Sequence, residues 1–235
     1  MKISIVTTDL QGFIKNGGVG TAKANLARYL SKSMQVDILY VHAPFQEQEL
    51  EFKILKSEYQ KHKIRIKSLH YKPYQIDSSY LYTTLSYLVF QNIKNSSYDA
   101  IIFPEMHGLG YYCMLSKKIG IHFQKTKLIT MYHGPGEWHI KFNNGLPSSF
   151  SELATHYLEK QSCLLCDEII FATDHAKRSA LELGYLNQLA PVKHSTLLFP
   201  FDSRLRKSNP HRIKKYNEVV FLGRIETRKG IEIFL

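Results

Sequence analysis

The sequence predicts an α/β protein: an open, twisted, mostly parallel sheet of about seven strands with helices on both faces. Two observations lead there. Short, near-continuous apolar runs alternate with helix-length amphipathic stretches along most of the chain, as expected when strands are buried on both sides. The composition is that of an ordinary globular domain, with 44% hydrophobic and 22% charged residues in 235, long enough for a substantial core.

The elements follow in order. Strand-like runs occupy 3–7, 36–41, 64–69, 100–103, 128–132, 168–172 and 194–199. Helix-like stretches fall at 19–30, 80–93, 110–118, 150–165 and 176–183. In the first helix Val19, Ala22, Leu26 and Leu30 share one face, which marks that face as core. The segment 202–216 is polar, basic and interrupted by Pro210, and reads as an interdomain linker. The domains read as 1–201, the linker 202–216, and the start of a second domain over 217–235, where Val219–Leu222 forms a strand outside the main sheet.

Met1-Lys2 runs straight into a β-like stretch rather than a signal core. No apolar run reaches the ~18 residues of a membrane span. Three cysteines, Cys113, Cys163 and Cys166, suggest no disulfide framework, so the expected compartment is the cytoplasm. Cys163 and Cys166 form an isolated C-x-x-C on a predicted helix, read as structural rather than zinc-binding. The net charge is +11, which suits an anionic partner: a nucleotide sugar, an acidic membrane surface or nucleic acid. No nucleic-acid reader motif is present, and no nucleic-acid partner is expected.

Lys53, Lys56, Lys61, Lys63, Arg65, Lys67 and Lys72 cluster between positions 53 and 72 beside Tyr59, Leu69, Tyr71 and Tyr74. This stretch reads as a solvated face around an edge strand, as a surface for an anionic membrane leaflet or, third, as a nucleic-acid contact.

Three segments carry candidate chemistry. Gly17-Gly18-Val19-Gly20 lies between the first strand and first helix. Glycines there admit close backbone approach, and a helix N-terminus favours anions. The loop lacks the Gly-Lys-Ser/Thr of a Walker motif and the tight turn of a dinucleotide fingerprint. A plain turn into the helix is the competing reading. Thr130-Met-Tyr-His133-Gly-Pro-Gly-Glu137-Trp138-His139 follows a strand end, the edge at which open α/β sheets bind ligands; a stiff turn around a core histidine is the alternative. At the C-terminus Val219–Leu222 leads into Gly223, with Arg224 and Lys229 following, an arrangement suited to a diphosphate.

Together these segments resemble the retaining glycosyltransferases of GT-B fold, in the manner of glycosyltransferase family 4. Gly223-Arg224 with Lys229-Gly230 resembles the "GR-x-x-x-x-KG" signature opening their second domain. Gly17 to Leu30 is similar to their glycine loop and first helix. Thr130, His133 and Gly134 match their "T-x-H-G"-like turn. Pro104 to Tyr112 is similar to a loop lining the acceptor side, and Cys166 to Thr173 to an "A-D-x-V-I-x-x-S" strand with Thr173 in place of serine. Leu198 to Asp202 lacks the usual asparagine and glycine of "I-P-N-G-V-D".

The resemblance implies a nucleotide-diphosphate sugar donor, a glycan or lipid-linked acceptor and retention of configuration, in cell-surface polysaccharide or glycolipid synthesis. It implies that Gly17, Gly18, Arg224 and Lys229 hold the donor diphosphate, with His133, Arg224 and Lys229 catalytic. Glu105, His107, Glu137, Trp138 and Thr173 would face sugar or acceptor. No cofactor is implied. No D-x-D metal signature is seen, and a metal-independent reaction is expected, with Arg224 and Lys229 neutralising the leaving diphosphate. The family's paired glutamates would lie beyond residue 235, so this chain alone is expected to be inactive. A non-catalytic partner subunit is the second reading, and a basic nucleic-acid-binding module the third.

Overall fold

The computed structural model describes residues 1–12, 17–42, 49–71, 76–187, 192–197 and 219–234. The linker 202–216, the 198–202 motif, Lys72 and Tyr74 lie outside them.

The architecture follows from the apolar runs. The strands β1 (Lys2–Thr7), β2 (Gln35–His42), β3 (Ile64–His70), β4 (Ala100–Pro104), β5 (Lys127–Tyr132), β6 (Glu168–Phe171) and β7 (Lys193–Thr196) form one sheet. Its order is β3-β2-β1-β4-β5-β6-β7, and each described pairing is parallel. The helices are α1 (Gly18–Leu30), α2 (Glu49–Lys61), α3 (Leu81–Ile93), α4 (Tyr111–Lys118), α5 (Gly136–Phe142), α6 (Phe150–Leu165), α7 (Asp174–Glu182) and α8 (Ile231–Phe234). Among the described residues, no helix is long and apolar enough to cross a membrane.

Successive strand residues point to opposite faces, and two cores result. Ile3 and Ile5 of β1 join Val36, Ile38 and Tyr40 of β2 under α1 and α2. Val6, Leu39 and Val41 turn the other way, against a core that includes Leu85, Val89, Met114 and Cys163. Cys113, Cys163 and Cys166 are buried free thiols. The Cys166 thiol lies 3.2 Å from the Cys163 carbonyl and 3.3 Å from that of Glu168. Burial raises the pKa of both thiols of the C-x-x-C, which agrees with the structural reading.

Helix α2 was not expected. Its polar, lysine-rich sequence hides Phe52, Leu55 and Tyr59, which are buried under the sheet at helical spacing. The basic cluster is correspondingly less free than its sequence suggests. Arg65 pairs with the buried Asp37 through two hydrogen bonds of 3.1 and 2.8 Å, and Lys67 lies 3.4 Å from the same carboxylate. Asp37 is held below its usual pKa by these partners, against the opposing effect of burial. Residues 219–222 form no regular secondary structure. They lie outside the main sheet as expected, but the predicted strand is absent there.

Candidate functional site

The loops after β4 and β5 meet at the carboxyl edge of the sheet, and two buried carboxylates fix them. Glu105, at the end of β4, has no exposed surface. Its Oε1 accepts the backbone N–H groups of His133 and Gly134, each at 2.6 Å. The buried Glu105 carboxylate thus sets the course of the His133 turn. Gly134 takes φ +118°, a conformation that excludes most side chains.

Glu159 on α6 does the same from the other side. Its Oε1 accepts from His107 N–H and its Oε2 from Gly136 N–H, both at 2.9 Å. The turn it grips is tight: His107 has φ +65° and Gly108 +59°, and a Cβ on Gly108 would lie 2.3 Å from Leu158 Cβ. Nothing in the sequence marks Glu159, which sits in an amphipathic helix and reads as surface.

Burial dominates the electrostatics. It raises the Glu105 pKa to about 7, opposed by its two N–H donors and by Lys23. It raises Glu159 to about 8, with the charges of Glu105 and Glu137 adding to it. Lys23 of α1 is also buried, with Nζ 3.4 Å from the Val6 carbonyl. Burial lowers its pKa to about 7, opposed by Glu105 and then Asp9. Burial, then the Lys23 charge, depresses His133 to about 3 and His107 to about 4. Both histidines are thus neutral at physiological pH, able to exchange hydrogen bonds with hydroxyl groups but not to act as standing cations. His107 stacks on Tyr82 with ring centroids 4.0 Å apart.

The glycine loop has an internal occupant. Asp9 Oδ2 accepts the N–H groups of Gly17 at 3.1 Å and Gly20 at 2.9 Å, so a carboxylate already caps the N-terminus of α1. A Cβ on Gly20 would stand 2.6 Å from Asp9 Oδ1, whereas Gly18 faces open space. The steric requirement falls on Gly20, and a donor phosphate at this loop would compete with Asp9 for the same donors.

Helix α5 carries Glu137 and Trp138. Glu137 lies 3.6 Å from Lys160. The Arg228 guanidinium sits 5.4 Å from the Trp138 ring centroid, and the Arg228 N–H donates to Asn143 Oδ1 at 3.2 Å. Through these contacts the 219–234 segment approaches the His133 turn. Arg224 pairs with Glu226 at 2.9 Å and, with Arg228, lowers the pKa of His139, whose burial is the larger cause. Lys229 is exposed, and among the described residues its side chain has no hydrogen bond or ion pair. Thr173 caps α7, its hydroxyl oxygen accepting from Ala176 N–H at 3.1 Å.

An open cleft of about 340 Å³ lies beside this edge, lined by Tyr82, His107, Gly134, His139, His156 and Glu159 among others. Among the described residues, no cluster of three or more His, Cys, Asp or Glu side chains could hold a metal ion.

Comparison with known proteins agrees with this arrangement. The profile of Glycosyltransferase Family 4 matches residues 16–190. No curated protein sequence matches significantly. Among solved structures, a Listeria monocytogenes protein described as a UDP-N-acetylglucosamine 2-epimerase aligns with 84% of this chain and 44% of its own, at 12% identity and TM-score 0.51. Phytolacca americana UGT2, solved with UDP-2-fluoro-glucose and pterostilbene, aligns with 88% of this chain and 56% of its own, at 12% identity and TM-score 0.49. The chain thus spans about half the length of these structures. With a parallel Rossmann-like sheet of GT-B type and a family profile that covers most of its length, the chain belongs to Glycosyltransferase Family 4.

Proposed function

We propose that the whole protein transfers a sugar from a nucleotide-diphosphate donor to a glycan or lipid-linked acceptor, with retention of configuration, in cell-surface polysaccharide or glycolipid synthesis. The observation that carries this reading is the His133 turn: two buried carboxylates hold its backbone, and that of the facing His107 loop, beside an open cleft. Such pre-set loops suit sugar positioning, since a reacting group held in place lowers the entropic part of the barrier. Neutral His133 would orient a sugar hydroxyl. Arg224 and Lys229 would neutralise the departing diphosphate, whose charge grows in the transition state. In this reading the reaction needs no bound metal, and the protein works in the cytoplasm, in peripheral contact with an anionic membrane.

The test uses protein carrying this domain together with a whole donor-binding domain, incubated with sugar-labelled donors and a membrane extract. Label should move to a glycan or glycolipid with the donor's anomeric configuration, read by NMR. Lys229→Ala should lower turnover on the order of a hundredfold, the usual effect of removing one oxyanion-stabilising group. Hydrolysis or epimerisation of the donor without transfer would overturn the proposal. Inversion would remove its retaining part, and unchanged turnover in Lys229→Ala would remove Lys229 from the mechanism.

A further inference from the structure

A second cleft, of about 530 Å³, adjoins the first, and Ile140 and His156 line both. Its walls differ in character. Ile140, Pro147, Leu153, Tyr157 and Leu183 supply an apolar lining. Lys141 and Lys160 flank it, with Glu137 the one carboxylate in the wall. The apolar surface continues outside. Leu146 is 87% exposed, Phe150 67%, Leu153 54% and Tyr157 56%. Phe150, Leu153 and Tyr157 fall at i, i+3 and i+7 of α6, one stripe of a helix. A folded chain rarely leaves such a stripe to water without a partner for it.

The lysines define what that partner carries. Lys160 lies 3.6 Å from Glu137 and Lys141 3.5 Å from Glu182. These are long surface pairs, worth little in water, so a phosphate could displace the carboxylates at small cost. An apolar trough with cations at its flank and a polar, histidine-lined cleft at its end matches an amphiphile of three parts: an apolar chain, an anionic phosphate and a sugar-type head.

We infer that this second cleft binds the apolar chain and phosphate of a lipid-linked acceptor and so delivers the acceptor's polar end to the first cleft, lined by His107, His139 and His156. The inference rests on reading that first cleft as the acceptor side, and it names the acceptor's class. The chain lies along Leu153 and Tyr157. The phosphate sits between Lys141 and Lys160.

Monododecyl phosphate below its micelle concentration is the probe, titrated into residues 1–235 by calorimetry. Inorganic phosphate and dodecyl maltoside are the comparison ligands. Saturable binding of dodecyl phosphate is expected, with dodecyl maltoside weaker and inorganic phosphate weaker still. Leu153→Gln should weaken dodecyl phosphate about tenfold, because it removes apolar contact for the chain. The pair Lys141→Gln and Lys160→Gln should abolish the preference for phosphate over maltoside while leaving chain binding in place. All three positions are at least partly exposed, and unchanged circular dichroism checks the fold of each variant.

No binding of dodecyl phosphate, or binding indifferent to Leu153→Gln, overturns the inference. So does inorganic phosphate binding as tightly as the amphiphile. Concentration-dependent dimerisation that Leu153→Gln abolishes, without probe binding, assigns the stripe to a second copy instead and also overturns it. None of these results bears on glycosyl transfer itself. Conversely, amphiphile binding in a protein shown to hydrolyse its donor without transfer would leave the cleft intact and remove only the proposed reaction.

Discussion

Replacing Gly108 by alanine tests whether α6 and the His107 turn are packed as tightly as the structure shows. Gly108 adopts φ +59°, and a left-handed conformation costs an L-residue roughly 1–2 kcal/mol. The added Cβ would stand 2.3 Å from Leu158 Cβ and 2.7 Å from the Leu158 carbonyl carbon. The second contact is with backbone, so no rotamer change relieves it. Helix α6 or the turn must move, at the cost of roughly 1–3 kcal/mol typical of overpacking. The sum is about 2–5 kcal/mol. Gly120 provides the control: its φ is +82°, but a Cβ there meets nothing within 4 Å. Gly120→Ala should therefore show only the backbone part, about 1–2 kcal/mol. Urea denaturation of both variants, followed by the fluorescence of the single tryptophan, measures the difference. Because α6 carries Glu159, Gly108→Ala should also loosen the His107 and Gly136 amides, visible as faster hydrogen exchange. Equal destabilisation by the two substitutions would refute the packing argument.

Other outcomes follow from the buried charges. Glu105→Ala strands the His133 and Gly134 N–H groups away from water, removes the larger of the two charges that oppose the burial of Lys23, and should cost roughly 3–5 kcal/mol of stability; a loss under about 1 kcal/mol would show that water or another acceptor replaces the carboxylate. His107 has a folded pKa near 4, below its unfolded value. The unfolded chain therefore binds the proton first as pH falls, and the stability contributed by neutral His107 is present above about pH 6.5 and is lost from there towards pH 4. Comparing the pH dependence of unfolding in wild type and His107→Gln isolates this part from the carboxylates, and identical slopes between pH 6.5 and 4 would contradict the burial of His107.

The candidate site was legible in the sequence to the extent that its chemistry is local. The turn around His133 could be placed because a strand pattern ends at Tyr132 and Gly, Pro and Gly follow in sequence. The glycine loop could be placed because an apolar stripe begins at Val19. Helix α5 escaped notice because it has 7 residues, too few to show a period. Helix α2 escaped because its buried Phe52, Leu55 and Tyr59 are outnumbered by polar neighbours.

The sequence by itself determined the layered α/β fold, since strand and helix periods are properties of neighbouring residues and need no knowledge of what they pack against. Tertiary structure alone decided which polar residues matter. Asp9 reaches Gly20 across 11 positions, Glu105 reaches His133 across 28, and Glu159 reaches His107 across 52. In the sequence Asp9 and Glu159 look like any solvated charge, and the loop that holds Glu105 does not name its partners. Only folding takes Glu105 and Glu159 out of water, and a polar group out of water must find partners, here the backbone amides that shape the site.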